Sequence, residues 1–220
     1  MKKSVSLKLI VFSFLLVATS ISYSAPVFQA GAGTDSTVAG VGNEASGFQS
    51  SAFGYRNTAD AGYSFAAGNG NRAGDTSSAV GYGNDATGRW SSAFGANNEA
   101  SGEKSSAIGF KNIASRDNSS AFGSQNNASG ENSSAFGTQY KVTGEASGAF
   151  GVGKITWNNT TQVFDYDYIN EGKHSYMFGN YNKIAAGTQN NFILGNNVSI
   201  GSGINNSVAL GNNSTVSSSN

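Results

Sequence analysis

One histidine, no cysteine and thirteen carboxylates are all that this 220-residue chain offers to acid–base or metal chemistry. His174 stands beside Lys173, with no thiol available to complete a zinc set. Asp165 and Asp167 alternate along one stretch. Two aspartates without a third acid or a glycine-bounded loop do not make a calcium site, and they read as solvated strand charges. The other carboxylates, among them Glu44, Asp60, Asp85 and Glu99, scatter over turn positions. There is neither a nucleophile with its base nor a spaced acid pair, so the chain reads as a non-enzyme that needs no cofactor and no metal. What remains with chemical character is aromatic. Trp157, Phe164, Tyr166 and Tyr168 crowd into the segment from Lys154 to His174. An exposed face of this kind suits recognition of a protein or a glycan, and equally it could pack on a neighbouring subunit and lock an oligomer.

The segment positions these rings by alternation. Phe164, Asp165, Tyr166, Asp167 and Tyr168 follow a period of two around the turn residues Asn158-Asn159, which predicts a β-hairpin or a looped-out pair of strands. It interrupts a repeat that governs the rest of the chain. From Ser91 a fourteen-residue unit recurs as SSAFGANNEASGEK, SSAIGFKNIASRDN and SSAFGSQNNASGEN. Its glycine can be tracked through Gly40, Gly54, Gly68, Gly81, Gly95, Gly109, Gly123, Gly137 and Gly151. A serine stands four residues before each, from Ser36 to Ser147, and an asparagine three after, from Asn43 to Asn126, until Tyr140 ends the series. A unit this short is one coil of a solenoid and not a domain.

Each coil then reads as two short strands joined by turns, with serine and asparagine ladders along the stack. The asparagines are expected to take the left-handed turn positions and to bond to one another along the ladder. The large residue before each glycine, such as Phe53, Phe94 or Phe122, is expected to face the small one five after it, such as Ala59, Ala100 or Ala128. In the terminal coils Leu194 and Leu210 pair with Ile200 and Val216, as a constant core volume would require. A stack this thin buries little, so self-association is expected through the opposite strand face of Ala52 with Gly54 and Ala93 with Gly95.

The N-terminus carries Lys2, Lys3 and Lys8, the apolar run Leu9 to Ala18 and then Ser24-Ala25-Pro26, which reads as a secretory signal peptide over 1–24. The run is shorter than the roughly twenty residues a helix needs to cross a bilayer, so the mature chain is expected to have no membrane span. Without those three lysines, ten basic side chains stand against thirteen acidic ones, which leaves no basic patch for nucleic acid. The organisation expected is a β-roll of 14-residue repeats over 25–151, an aromatic-rich insertion over 152–174 and a continuation in 16-residue repeats over 175–220.

The coils SSAFG and SSAIG, and above all Asn206-Ser207-Val208-Ala209-Leu210-Gly211-Asn212-Asn213-Ser214, resemble the NSVAIGxxS repeat of the YadA-like head domain of trimeric autotransporter adhesins. The resemblance implies an all-β, left-handed parallel β-roll that assembles as a homotrimer. It also implies export to the cell surface, the outer membrane or the medium, and adhesion to a host extracellular matrix protein such as collagen or to a cell-surface glycan. Family members continue into a neck, a coiled-coil stalk and a β-barrel anchor, whose heptads and strand pattern are not read here, so a truncated product or a free-standing secreted head is expected. Two other classes compete. The serine ladder would suit an exported ice-binding solenoid, and the repeat alone would suit a phage or filament fibre module.

Overall fold

A computed structural model describes residues 28–217, so the signal peptide read at 1–24 lies outside the described residues. Coils contribute one five-residue strand, such as Ser120–Ser124, and one two-residue strand, such as Asn127–Ala128, except that the long strand Tyr176–Phe178 has three residues. The long strands stack in a sheet of thirteen and the short ones in a sheet of twelve. Within each sheet the coils pair in parallel and in strict register, Ala93 on Ala107 on Ala121 on Ala135 and Ala100 on Ala114 on Ala128. The first strand, Gln29–Ala30, breaks the pattern by running antiparallel to Thr37–Val41. The chain is thus a parallel β-solenoid, all β among the described residues.

The core corrects the expected facing. Ala52, Ala93 and Ala121 of the long strands and Ala59, Ala100 and Ala128 of the short ones are fully buried, whereas Phe94 on the next position is 37% exposed. The phase is set by the buried polar residues. Ser119 lies inside, strand alternation carries Ala121 inside with it, and Phe122 must then point out. The face of Ala52 and Ala93 is therefore not open to another copy. Nor is core volume constant. Met177, Ile184, Ile193 and Ile200 fill the last coils, while Leu194 and Leu210 stand outside, 53% and 65% exposed. Phe65 and Ala67 share one face as alternation requires, but it is the outer face, where the Phe65 ring meets Phe53 edge-on at 5.8 Å.

The ladders are internal. Asn112 is representative: its Nδ2 shares its two hydrogens among Asn98 Oδ1 at 3.1 Å, the Ile108 carbonyl at 2.9 Å and the Gly123 carbonyl at 2.7 Å, while its backbone N–H also reaches Asn98 Oδ1. A buried amide so fully paired closes the turn from within. The left-handed residue is the one before it, as at Arg56, Asn97, Lys111 and Gln125, so the ladder asparagine is chosen for its amide and not for its backbone. The ladder serines are buried too, and several hold the preceding turn, as Ser50 Oγ does on the Gly47 carbonyl at 2.8 Å. They form no water-facing row of hydroxyls.

Candidate interaction surfaces

The hairpin leaves the stack after Gly148–Val152 and the chain rejoins it at Ile169–Asn170, which pairs with Lys141–Val142. Residues 169–174, read from sequence as insertion, therefore belong to a coil. The two hairpin strands are Ile155–Asn158 and Val163–Tyr166, antiparallel, with Trp157 opposite Phe164 and Ile155 opposite Tyr166. Those four side chains share one face. The other face carries Val163 beside polar groups that pair among themselves. Asn158 Nδ2 donates to Asp165 at 2.7 Å, and Thr156 Oγ1 donates to Asp167 at 2.9 Å, with Lys154 Nζ 3.8 Å from the same carboxylate.

The apolar face folds back over the short-strand sheet of the same chain. Tyr166 donates its hydroxyl to the Gln125 carbonyl at 3.0 Å, and burial pushes its pKa up to about 12. Ile155, Phe164 and Tyr166 roof a cleft of about 360 Å³ whose floor is Lys111, Ile113, Gln125, Asn127 and Lys141. Trp157 and Phe164 meet edge-on at 5.0 Å at its rim, each 48% exposed. Of the four aromatics singled out in the sequence, three lie together. Tyr168 does not join them, because it lies beyond the hairpin with its ring tilted against Tyr181 at 5.3 Å. The floor residues carry no motif. The only trace is that Ile113 and Lys141 occupy a column filled elsewhere by Glu44, Thr58, Arg72, Asp85 and Glu99.

Where the hairpin departs, the asparagine ladder lacks a rung, and Tyr140 spans the gap. Its N–H reaches back to Asn126 Oδ1 at 3.1 Å; its hydroxyl donates to the Gly179 carbonyl at 2.8 Å and accepts from the Asn182 N–H at 3.1 Å. The ladder then resumes at Asn182. The ring is fully buried, and that burial raises the phenol pKa to about 12 despite the backbone bond from Asn182. His174 sits at a left-handed corner beside the Lys173–Glu145 ion pair, and no cluster of three metal-ligating side chains occurs among the described residues.

The second surface is the outer column of the long-strand sheet. Phe122, Phe136, Phe150 and Phe178 stack nearly parallel, with ring centroids 4.8, 5.1 and 4.6 Å apart. The column continues through Phe94 and Ile108 on one side and Leu194 and Leu210 on the other. An apolar stripe running the length of the body is the kind of surface that soluble monomers seldom leave uncovered.

A family model of the YadA head domain repeat, two copies long, matches residues 45–71, 86–112, 100–126, 114–139 and 205–220. The starts at 86, 100 and 114 step by one coil, in phase with the register of the sheets. No curated protein matches the chain. The hairpin lies outside every matched window, as do the coils immediately around it, from residue 140 to residue 204. The coils within these windows are similar to the YadA head domain repeat.

Proposed function

We propose that this chain is the non-enzymatic head of an exported, homotrimeric surface adhesin that attaches to a host matrix protein such as collagen or to a cell-surface glycan. The observation that carries the reading is the outer phenyl column. Partly exposed rings repeat at every few ångströms along one face, and covering each contributes on the order of 1 kcal/mol, multiplied by the number of coils. The column takes over the assembly role that the sequence reading gave to the alanine face. The hairpin then presents Trp157, Phe164 and Tyr166 to ligand, with Tyr168 as an outlying contact. Its apolar side already covers its own short-strand sheet, on the opposite side of the body from the phenyl column, which favours a ligand site over a subunit lock. The buried serines remove the feature that attracted the ice-binding reading.

Sedimentation equilibrium of residues 25–220 tests the assembly. A trimer is expected, and a folded monomer at micromolar concentration would overturn it. Attachment to collagen-coated surfaces tests the site: W157A and F164A are expected to lower attachment while the mass stays that of the trimer. Unchanged attachment would remove the hairpin from the reading, and dissociation would return it to the role of a lock.

A further inference from the structure

We infer that the cleft under the hairpin binds an acidic saccharide, with a sugar ring against Phe164 and its anionic group held by Lys111 and Lys141. The inference rests on the reading of the hairpin as a ligand site and names the class of ligand. The charge lining the cleft is one-sided, with Glu99 one rung beyond Ile113 and outside the lining. Lys111 and Lys141 line it, no carboxylate does, and neither lysine belongs to any ion pair among the described residues. The hairpin's own acids cannot neutralise them, because Asp165 and Asp167 are turned to the opposite face and engaged by Asn158, Thr156 and Lys154. Two cations without an ion-pair partner, Lys111 with its Nζ also 5.2 Å over the Phe110 ring, attract an anion to a concave surface, and the field falls on whatever enters between them.

The remaining walls choose among anions. Ile113, Asn127 and Lys141 are successive rungs of one column, roughly 5 Å apart, and Lys111 lies two residues before Ile113. The floor is therefore about 10 Å long with cations towards both ends and the amides of Gln125 and Asn127 between them. The roof is the flat ring of Phe164 beside Ile155 and Tyr166. An inorganic anion would use the lysines and leave both the amides and the ring idle. A sugar bearing a carboxylate or sulfate uses all three, laying its C–H face on the ring and its hydroxyls on the amides. A cleft of about 360 Å³ lies within the range of roughly 300–1,000 Å³ typical of small-ligand sites.

The test is calorimetric titration of the intact mature protein with hyaluronan hexasaccharide, which carries only carboxylates, with chondroitin sulfate hexasaccharide, which adds sulfate, and with neutral chitohexaose. Binding of at least one acidic hexasaccharide and not of chitohexaose is expected, and the two acidic arms tell carboxylate recognition from sulfate recognition. K111Q, K141Q and F164A are each expected to weaken binding about tenfold, the loss of one charge-assisted or stacking contact. K183Q, on the same sheet but outside the cleft, is expected to change nothing. No binding by either acidic probe, equal binding of chitohexaose, or an equal loss in K183Q would overturn the inference. If F164A lowers collagen attachment while neither acidic probe binds, the ligand class fails and the hairpin reading stands. If the acidic probe binds at the cleft while collagen attachment ignores the hairpin, the inference stands and the collagen reading fails.

Discussion

The fourteen-residue coils and the sixteen-residue coils close the same two sheets around opposite fillings. In the shorter coils Ala121 lies opposite Ala128, and Ser119 and Asn126 complete the interior. In the longer ones Ile193 lies opposite Ile200, and Asn191 replaces the serine, its Nδ2 donating to the Ile204 carbonyl at 2.8 Å. The two added residues open a third side, marked by the bridges from Lys173 to Gln189 to Asn205. Coil length therefore goes with the size of the inward residues, with Tyr140 and Val142 next to the hairpin as the large buried residues of the shorter coils. The outward column changes the other way, from phenylalanine to Leu194 and Leu210. Interior and exterior are chosen independently, because consecutive residues of a strand answer to different neighbours.

That comparison can be broken most directly at its two cores. Ile193→Ala leaves a void in the wider coil and is expected to cost about 2–5 kcal/mol in denaturant unfolding. Ala121→Ile forces volume into the narrow coil and is expected to cost about 1–3 kcal/mol or more, because the rungs above and below are also packed. If Ala121→Ile proved neutral, the narrow coil would be able to widen and the dependence on coil length would fall.

The junction between the two regions depends on Tyr140. Tyr140→Phe keeps the ring but leaves the Gly179 carbonyl and the Asn182 N–H without their buried partner, an expected loss of about 1–3 kcal/mol. The same phenol makes stability sensitive to alkali. Its folded pKa, raised to about 12, lies above the ordinary tyrosine value of about 10, so the folded state holds its proton more tightly than the unfolded one. The stabilisation is complete below about pH 10 and is lost as pH rises towards 12. A melting-temperature series from pH 8 to 12 should fall over that window. The fall should be shallower in Tyr140→Phe, with Tyr166 responsible for part of what remains. Superimposable pH profiles would show that Tyr140 does not bridge the gap.

The sequence carried the coil, its register and the hairpin, because each is a matter of period, and periods survive without coordinates. Which way a column points is harder. In SSAFG the alanine and the phenylalanine are adjacent, and the habit of sending the larger apolar residue inward selects the wrong one. The deciding residues were polar. Ser119 and Asn126 pair inside, and only the geometry of Asn126 with Asn112, the Phe122 carbonyl and the Gly137 carbonyl shows that they must. The aromatic side of the cleft was legible from the alternation of Phe164 and Tyr166. Its floor was not, since Lys111, Gln125 and Lys141 come from three coils and meet only because the hairpin folds back over them.

The smallest effect falls on the outer column and separates most finely the roles of two adjacent residues. Phe136→Ala removes one ring stacked between Phe122 and Phe150, while Ala135 beside it is fully buried. In the dissociated chain a partly exposed stacked ring should contribute only about 1 kcal/mol, so unfolding at high dilution should shift little. If copies assemble as proposed, the same substitution removes a contact from every subunit, and the dependence of the unfolding midpoint on protein concentration should weaken visibly. A loss at high dilution as large as that of Ile193→Ala would place the phenyl in the core after all. A small loss at dilution together with weakened assembly would assign the alanine to the fold and the phenylalanine beside it to the partner copy.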